Sequence, residues 1–144
     1  MATSNMIAAK TLCEISAWSL SNLRLQKILY FAHRSFLGEN DGKPLVEGPF
    51  MRYPYGPVIE EVHFRVRKYG TNVIPKEAFG VHNTLGVETP EYKVIRKEYE
   101  ERKERYASSL VTESHISGGA WDRCSDENRR EMPDDYIREE YDAL

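Results

Sequence analysis

After Ser21, residues 23–37 read LRLQKILYFAHRSFL, and Leu25, Ile28, Leu29, Ala32 and Phe36 fall on one stripe of a helix. Tyr30 and Phe31 widen the apolar surface past that stripe. A helix that is apolar on more than one side needs cover on more than one side. The segment therefore predicts a central helix with the rest of the chain wrapped around it. Ser21 supplies its N-cap, and Gly38 is expected to end it in a left-handed C-cap. Each large apolar side chain it fully buries contributes about 1.5–3 kcal/mol.

The 144 residues can enclose one core, so residues 1–144 are read as a single domain. With 40% hydrophobic and 30% charged residues the composition is that of a globular chain rather than a disordered one. A net charge of −3 leaves no general electrostatic footprint for nucleic acid. No run approaches the roughly 18 apolar residues of a membrane span. The opening MATSNMIAAK has no basic stretch before an apolar run, so no secretory leader is expected. Cys13 and Cys124 are far apart and form no C-x-x-C pair, which favours free thiols in the cytoplasm.

Around the central helix the other elements read as follows. A first helix is expected over Asn5–Trp18, capped by Ser4 or Asn5, with Ala8, Leu12, Ile15 and Trp18 facing inward. GENDGKPLVEGPF is turn-rich, with short extended pieces at Leu45-Val46 and Phe50-Met51. In YPYGPVIEEVHFRVRKYG, Gly56-Pro57 is read as a helix entrance, because Pro57 lacks an N–H that a first turn leaves unpaired. Val58, Val62 and Val66 recur every four residues, Glu61 is placed to meet Arg65, and Gly70 ends the segment.

Residues 71–89 read as irregular, with short extended pieces at Val73-Ile74 and Leu85–Val87. Thr89-Pro90 opens a helical region that is either one helix or two joined near Ala107-Ser108, and Ser117-Gly118-Gly119 stops it. DRCSDENRRE reads as a polar loop, and Pro133 opens a closing helix docked by Ile137, Tyr141 and Leu144. The expected fold is mainly α: a compact domain of five to six helices with at most a small β-hairpin.

The chain has no Walker A loop, no G-x-G-x-x-G, no H-E-x-x-H and no G-x-S-x-G. His33 and His63 lie off the apolar stripes and read as surface or edge residues, and His82 sits in a loop. His115 sits near a helix end, where it either caps that end or joins Trp121 in a pocket. No spacing frames a metal site or a Cys–His nucleophile pair, so no catalytic residue, metal or cofactor is expected. Arg96, Lys97, Arg102, Lys103 and Arg105 alternate with Glu98, Glu100, Glu101 and Glu104. That reads as solvated ion pairs rather than a phosphate track.

Ordered blocks of the chain resemble the Panacea antitoxin domain, the SocA-like family. SNLRLQKILYFAHRSFL is similar to a small capping residue followed by Leu-x-Leu-Gln-Lys-Leu-Leu-Tyr, and GKPLVEGPFMRYPYGPV to a Gly-x-Pro-Leu and Tyr-Gly-Pro-Val block. LVTESHISGGAW resembles Leu-x-x-x-Thr-His followed by Pro-Trp, and MPDDYIREEYDAL resembles a closing helix. Two positions depart from the pattern: Ser114 stands for the threonine and Ala120 for the proline.

The resemblance implies a binding module and not an enzyme. It would be a cytoplasmic antitoxin of a bacterial or phage pair that neutralises a cognate toxin by direct binding. Some members present the toxin to a protease, which would make a AAA+ protease a second partner and a prophage a natural setting. The residues carried over are Leu25, Gln26, Lys27 and Tyr30, then Tyr55, Gly56, Pro57 and Val58, then His115 and Trp121. The Tyr55–Val58 turn is expected beside Tyr30 and the 115–121 segment. The alternatives are a small enzyme with a pocket around His115 and Tyr55, or a nucleic-acid-binding regulator.

Overall fold

A computed structural model describes residues 2–144. Among them are seven α-helices: α1 (Asn5–Ile15), α2 (Asn22–Glu39), α3 (Glu60–Val66), α4 (Pro90–Arg102), α5 (Ala107–Ser114), α6 (Ala120–Asp126) and α7 (Asp134–Asp142). Short strands β1 (Phe50–Tyr53), β2 (Gly56–Ile59) and β3 (Glu131–Met132) form an antiparallel sheet in the order β2-β1-β3. The fold is mainly α, as expected, with more helices than expected and a third strand added to the hairpin.

The long amphipathic segment is the centre of the molecule. α2 packs against α1, α4, α5 and α7 and against the β2 strand. Leu25, Ile28, Leu29, Tyr30, Phe31 and Ala32 are all fully buried. Ser21 caps its start by accepting from the Arg24 N–H.

Two glycine readings change. Gly38 does not end α2, which continues to Glu39 with Asn40 as its cap. Gly38 instead faces the ring of Tyr141, leaving no room for a Cβ. The left-handed residues come later, at Asp41 and Gly42. Gly56-Pro57 is not a helix entrance either. Both residues lie in β2, paired with Tyr53 and Arg52, and the helix begins at Glu60. β2 is an edge strand, the place in a sheet where a proline's missing N–H is tolerated.

α1 stops at Ile15, and Ala17 and Trp18 adopt positive φ, so Trp18 packs on the core from outside the helix. Thr89 and Pro90 open α4 as expected, with Thr89 Oγ1 accepting from the Tyr92 N–H at 3.1 Å. The following region divides into α4 and α5. The expected loop after Trp121 is largely helix, since α6 spans Ala120–Asp126. In α7 Ile137 is buried and Leu144 beyond it is exposed. Val46 and Val73 each make an isolated β-bridge, whereas residues 85–87 join no strand.

Arg102 and Glu98, expected as solvated pairs, are inside, and so are Arg34 and Glu140. Arg102 and Glu98 are buried and paired at 3.0 Å, and Arg102 also meets Glu113 at 2.6 Å. Arg34 meets Glu140 at 2.8 Å, with both residues buried. The Arg34 and Arg102 guanidiniums lie 4.8 and 4.2 Å from the centre of the Phe31 ring, a favourable arrangement for a desolvated cation. His33 is buried rather than an edge residue. Its Nε2 faces Asp134 Oδ1 at 2.9 Å, and its Nδ1 accepts from the Val46 N–H. Arg65 turns to the Ala78 carbonyl and His82 rather than to Glu61.

Candidate functional site

One turn of α2 fixes the β-hairpin. The Gln26 side chain behaves as a strand neighbour to Ile59: its Oε1 accepts from the Ile59 N–H at 2.9 Å, and its Nε2 donates to the Ile59 carbonyl at 3.3 Å. Next to it, Lys27 is fully buried and donates from Nζ to the Pro57 carbonyl at 2.8 Å. Burial lowers the Lys27 amine to a pKa of about 7.

Gly56 makes this approach possible. Its φ is +110°, and an added Cβ would lie 2.9 Å from Lys27 Cε and closer still to Ser114 Oγ. Ser114 is buried, and its hydroxyl donates to the Val111 carbonyl. The hydroxyl found where the family pattern has threonine therefore sits where a larger Gly56 would go.

Beyond the hairpin, His115 caps the end of α5 and stacks on Trp121, with 3.8 Å between ring centres and 20° between planes. Trp121 Nε1 donates to the Tyr53 carbonyl at 2.8 Å. This carries the 115–121 segment onto β1. Burial, followed by the charge of Lys27, lowers the His115 imidazole below its usual range. Tyr30 points the other way. Its hydroxyl donates to Glu140 Oε1 at 3.0 Å, and the same oxygen accepts from the Ala120 N–H at 2.8 Å. Glu140 thus joins α2, α6 and α7. Leu25 and Tyr30 are core residues, and at Gly56 the hairpin turn meets Lys27 and Ser114.

A cavity of about 520 Å³ opens between α2, the hairpin and α3. Gln26, Lys27, Tyr55 and Val58 line it, joined by Asn22, Tyr53 and His63, which the motif reading left out. Asn22 lies one helical turn before Gln26, whose Nε2 reaches its Oδ1 at 3.4 Å. Asn22 Nδ2 then donates to His63 Nδ1 at 2.9 Å. Tyr53 Oη donates to Glu60 Oε2 at 2.6 Å, and Arg130 meets the same oxygen at 2.7 Å. His115 is not among the lining residues. It braces this wall through Trp121 and the Tyr53 carbonyl, and Tyr55 and His115 do not line one cavity. Among the described residues no group of three or more His, Cys, Asp or Glu side chains could hold a metal ion.

Residues 25–140 match the family model described as Antitoxin SocA-like, Panacea domain. The chain belongs to the SocA-like Panacea family. The Antitoxin SocA of Caulobacter vibrioides (strain NA1000 / CB15N) is 38% identical to it over 113 residues, covering 72% of this chain and 58% of the relative. No solved structure matches. The family match spans α2 to α7 and so includes both the Gln26–Lys27 turn and Glu140. In this Panacea domain the motif positions divide by place. Leu25 and Tyr30 lie in the core, Gln26 and Gly56 tie α2 to the hairpin, and Lys27, Tyr55 and Val58 line the cavity. Pro57 offers its carbonyl to Lys27, and His115 and Trp121 brace the hairpin from outside.

Proposed function

We propose that this protein is a cytoplasmic antitoxin that neutralises a cognate toxin by direct protein–protein binding, and that the toxin seats on the rim of the cavity at Tyr55. The carrying observation is the distribution of exposed apolar side chains. Tyr55 (67% exposed) lines the cavity itself. Phe64 and Tyr106 are exposed next to the lining residues His63 and Ala107, and exposed Val73 bridges to Ser21, which also lines it. Exposed aromatic residues around a concavity are the usual anchors of a protein interface. The hairpin that carries Tyr55 is held rigid by Gln26 and Trp121, which limits the ordering cost of binding. Antitoxin family membership supports the reading. Delivery of the toxin to a AAA+ protease is the second form the same contact can take.

The test is co-expression with the adjacent open reading frame, in cells that stop growing when that frame is expressed alone. Rescue with a co-purifying complex is expected, and Tyr55→Ala together with Tyr106→Ala should abolish both. Rescue with loss of the toxin in a protease-proficient strain, but not in a protease-deficient one, identifies delivery. Full rescue by the double variant would remove the proposed face.

A further inference from the structure

Resting on the antitoxin reading, we propose that the toxin segment seated at Tyr55 is acidic, with an apolar side chain in the cavity and flanking carboxylates on Arg67 and Lys68. The lining residues His63 and Gly70 bracket a run of cations, Arg65, Arg67 and Lys68, at the end of α3 and the turn after it. Arg65 faces the Ala78 carbonyl and the His82 ring. Arg67 and Lys68 are exposed. Arg67 lies over the Phe64 ring at 5.1 Å and Lys68 over the Tyr69 ring at 5.4 Å, and neither meets a carboxylate among the described residues. The acids of α3 are engaged elsewhere. Glu60 is held by Tyr53 and Arg130, and Glu61 lines a separate groove with Met51 and Glu131. The C-terminal dipole of α3 supplies about half a negative charge, less than the two cations carry. Positive charge at this side of the cavity is therefore left without its complement.

A row of rings joins the cavity wall to these cations. The centres of Tyr53 and His63 lie 5.6 Å apart and those of His63 and Phe64 5.8 Å, and the Arg67 guanidinium covers one face of Phe64. Phe64 is 55% exposed, so a chain leaving the cavity past His63 crosses apolar surface before it reaches Arg67. Cations already laid on rings lose less side-chain freedom when a carboxylate arrives. The same row argues against a nucleic acid. Its rings stand at 64° and 55° to one another rather than offering parallel open faces on which bases stack. A net charge of −3 over the whole chain gives a phosphate backbone no wider basic track. An acidic peptide with one apolar anchor uses every part: the cavity of about 520 Å³, the ring surface and the two cations.

Acetyl-Asp-Glu-Phe-Asp-Glu-amide, titrated into the full ¹⁵N-labelled chain at pH 7, tests this beside the neutral Asn-Gln-Phe-Asn-Gln peptide and an oligothymidylate. The acidic peptide should give saturable shifts at the amides of His63, Phe64, Lys68, Gly70 and Thr71, with the neutral peptide at least about tenfold weaker. Arg67→Glu together with Lys68→Glu, both at exposed positions, should remove that difference while retaining the fold. Raising sodium chloride from about 0.05 M to about 0.5 M should weaken the acidic peptide several-fold and leave the neutral one unchanged. Equal binding of the two peptides, no saturable binding of the acidic one, a difference that survives the double variant, or tighter binding of the oligothymidylate would each overturn the proposal. No toxin enters this titration, so it reads the acidic preference alone. In the co-expression assay the charge-reversed variant should lose rescue. Full rescue by it, where Tyr55→Ala with Tyr106→Ala fails, would overturn the acidic segment and leave the antitoxin reading standing. Full rescue by both variants would remove the face itself.

Discussion

The α-carbon of Gly56 lies against the side chain of Lys27 so closely that a methyl group there would come within 2.9 Å of Cε. The contact couples a backbone conformation in the hairpin to the one buried lysine of α2.

Gly56→Ala therefore meets two obstacles at once, the +110° φ and the clash with Lys27 and Ser114. Strain of this kind together with overpacking costs about 2–4 kcal/mol. The variant should show a lower urea midpoint at unchanged m-value. A loss under about 0.5 kcal/mol would mean the hairpin shifts freely, against the rigidity argued above.

Glu140 accepts from Tyr30, from Arg34 and from the Ala120 N–H. Glu140→Leu leaves the Arg34 cation buried with only a longer contact to Glu113 at 3.6 Å, and should destabilise the fold by about 3–5 kcal/mol. Replacing Arg34 by Met in the same chain should recover much of that loss. Denaturant melts of the two single variants and the double variant form the cycle that checks it.

Lys27 titrates at about 7 in the fold, against a usual value near 10.5. Between these values the unfolded chain binds the proton that the folded chain has released, so stability rises with pH through that window. The slope from this group is at most about 1.4 kcal/mol per pH unit. Below about pH 7 both states are protonated and the slope vanishes. Urea unfolding at pH 7, 8 and 9 should show the rise in the native chain, and Lys27→Met should remove the Lys27 part of it. Parallel curves for the two proteins would mean that Lys27 is solvated.

What was legible in the sequence was local. The α2 stripe, the Ser21 cap, the Thr89-Pro90 start and the Gly70 stop are each decided within a few residues, and each is present. What escaped depends on distant partners. His33 reads as an edge residue until Asp134, 101 positions away, supplies its acceptor. Arg102 and Glu98 look solvated because Glu113 and Phe31 complete their setting from other helices. Gly38 carries a strong helix-stop signal, yet its missing side chain serves Tyr141. Pro57 suits a helix start and an edge strand equally, and only pairing with Arg52 decides between them. The motif residues marked the cavity's neighbourhood, but Asn22 and His63 join it through a hydrogen bond spanning 41 positions.

The tie between α2 and α7 also bears on how the protein is made. Arg34 leaves the ribosome more than a hundred residues before Glu140. Until then, α2 has no carboxylate from α7 for its guanidinium and no cover for the face that α7 occupies. A chain interrupted before α7 would lack the element that closes its core and would be open to proteolysis. Only molecules synthesised through residue 140 would persist, so the concentration of working protein would follow completed translation rather than initiation.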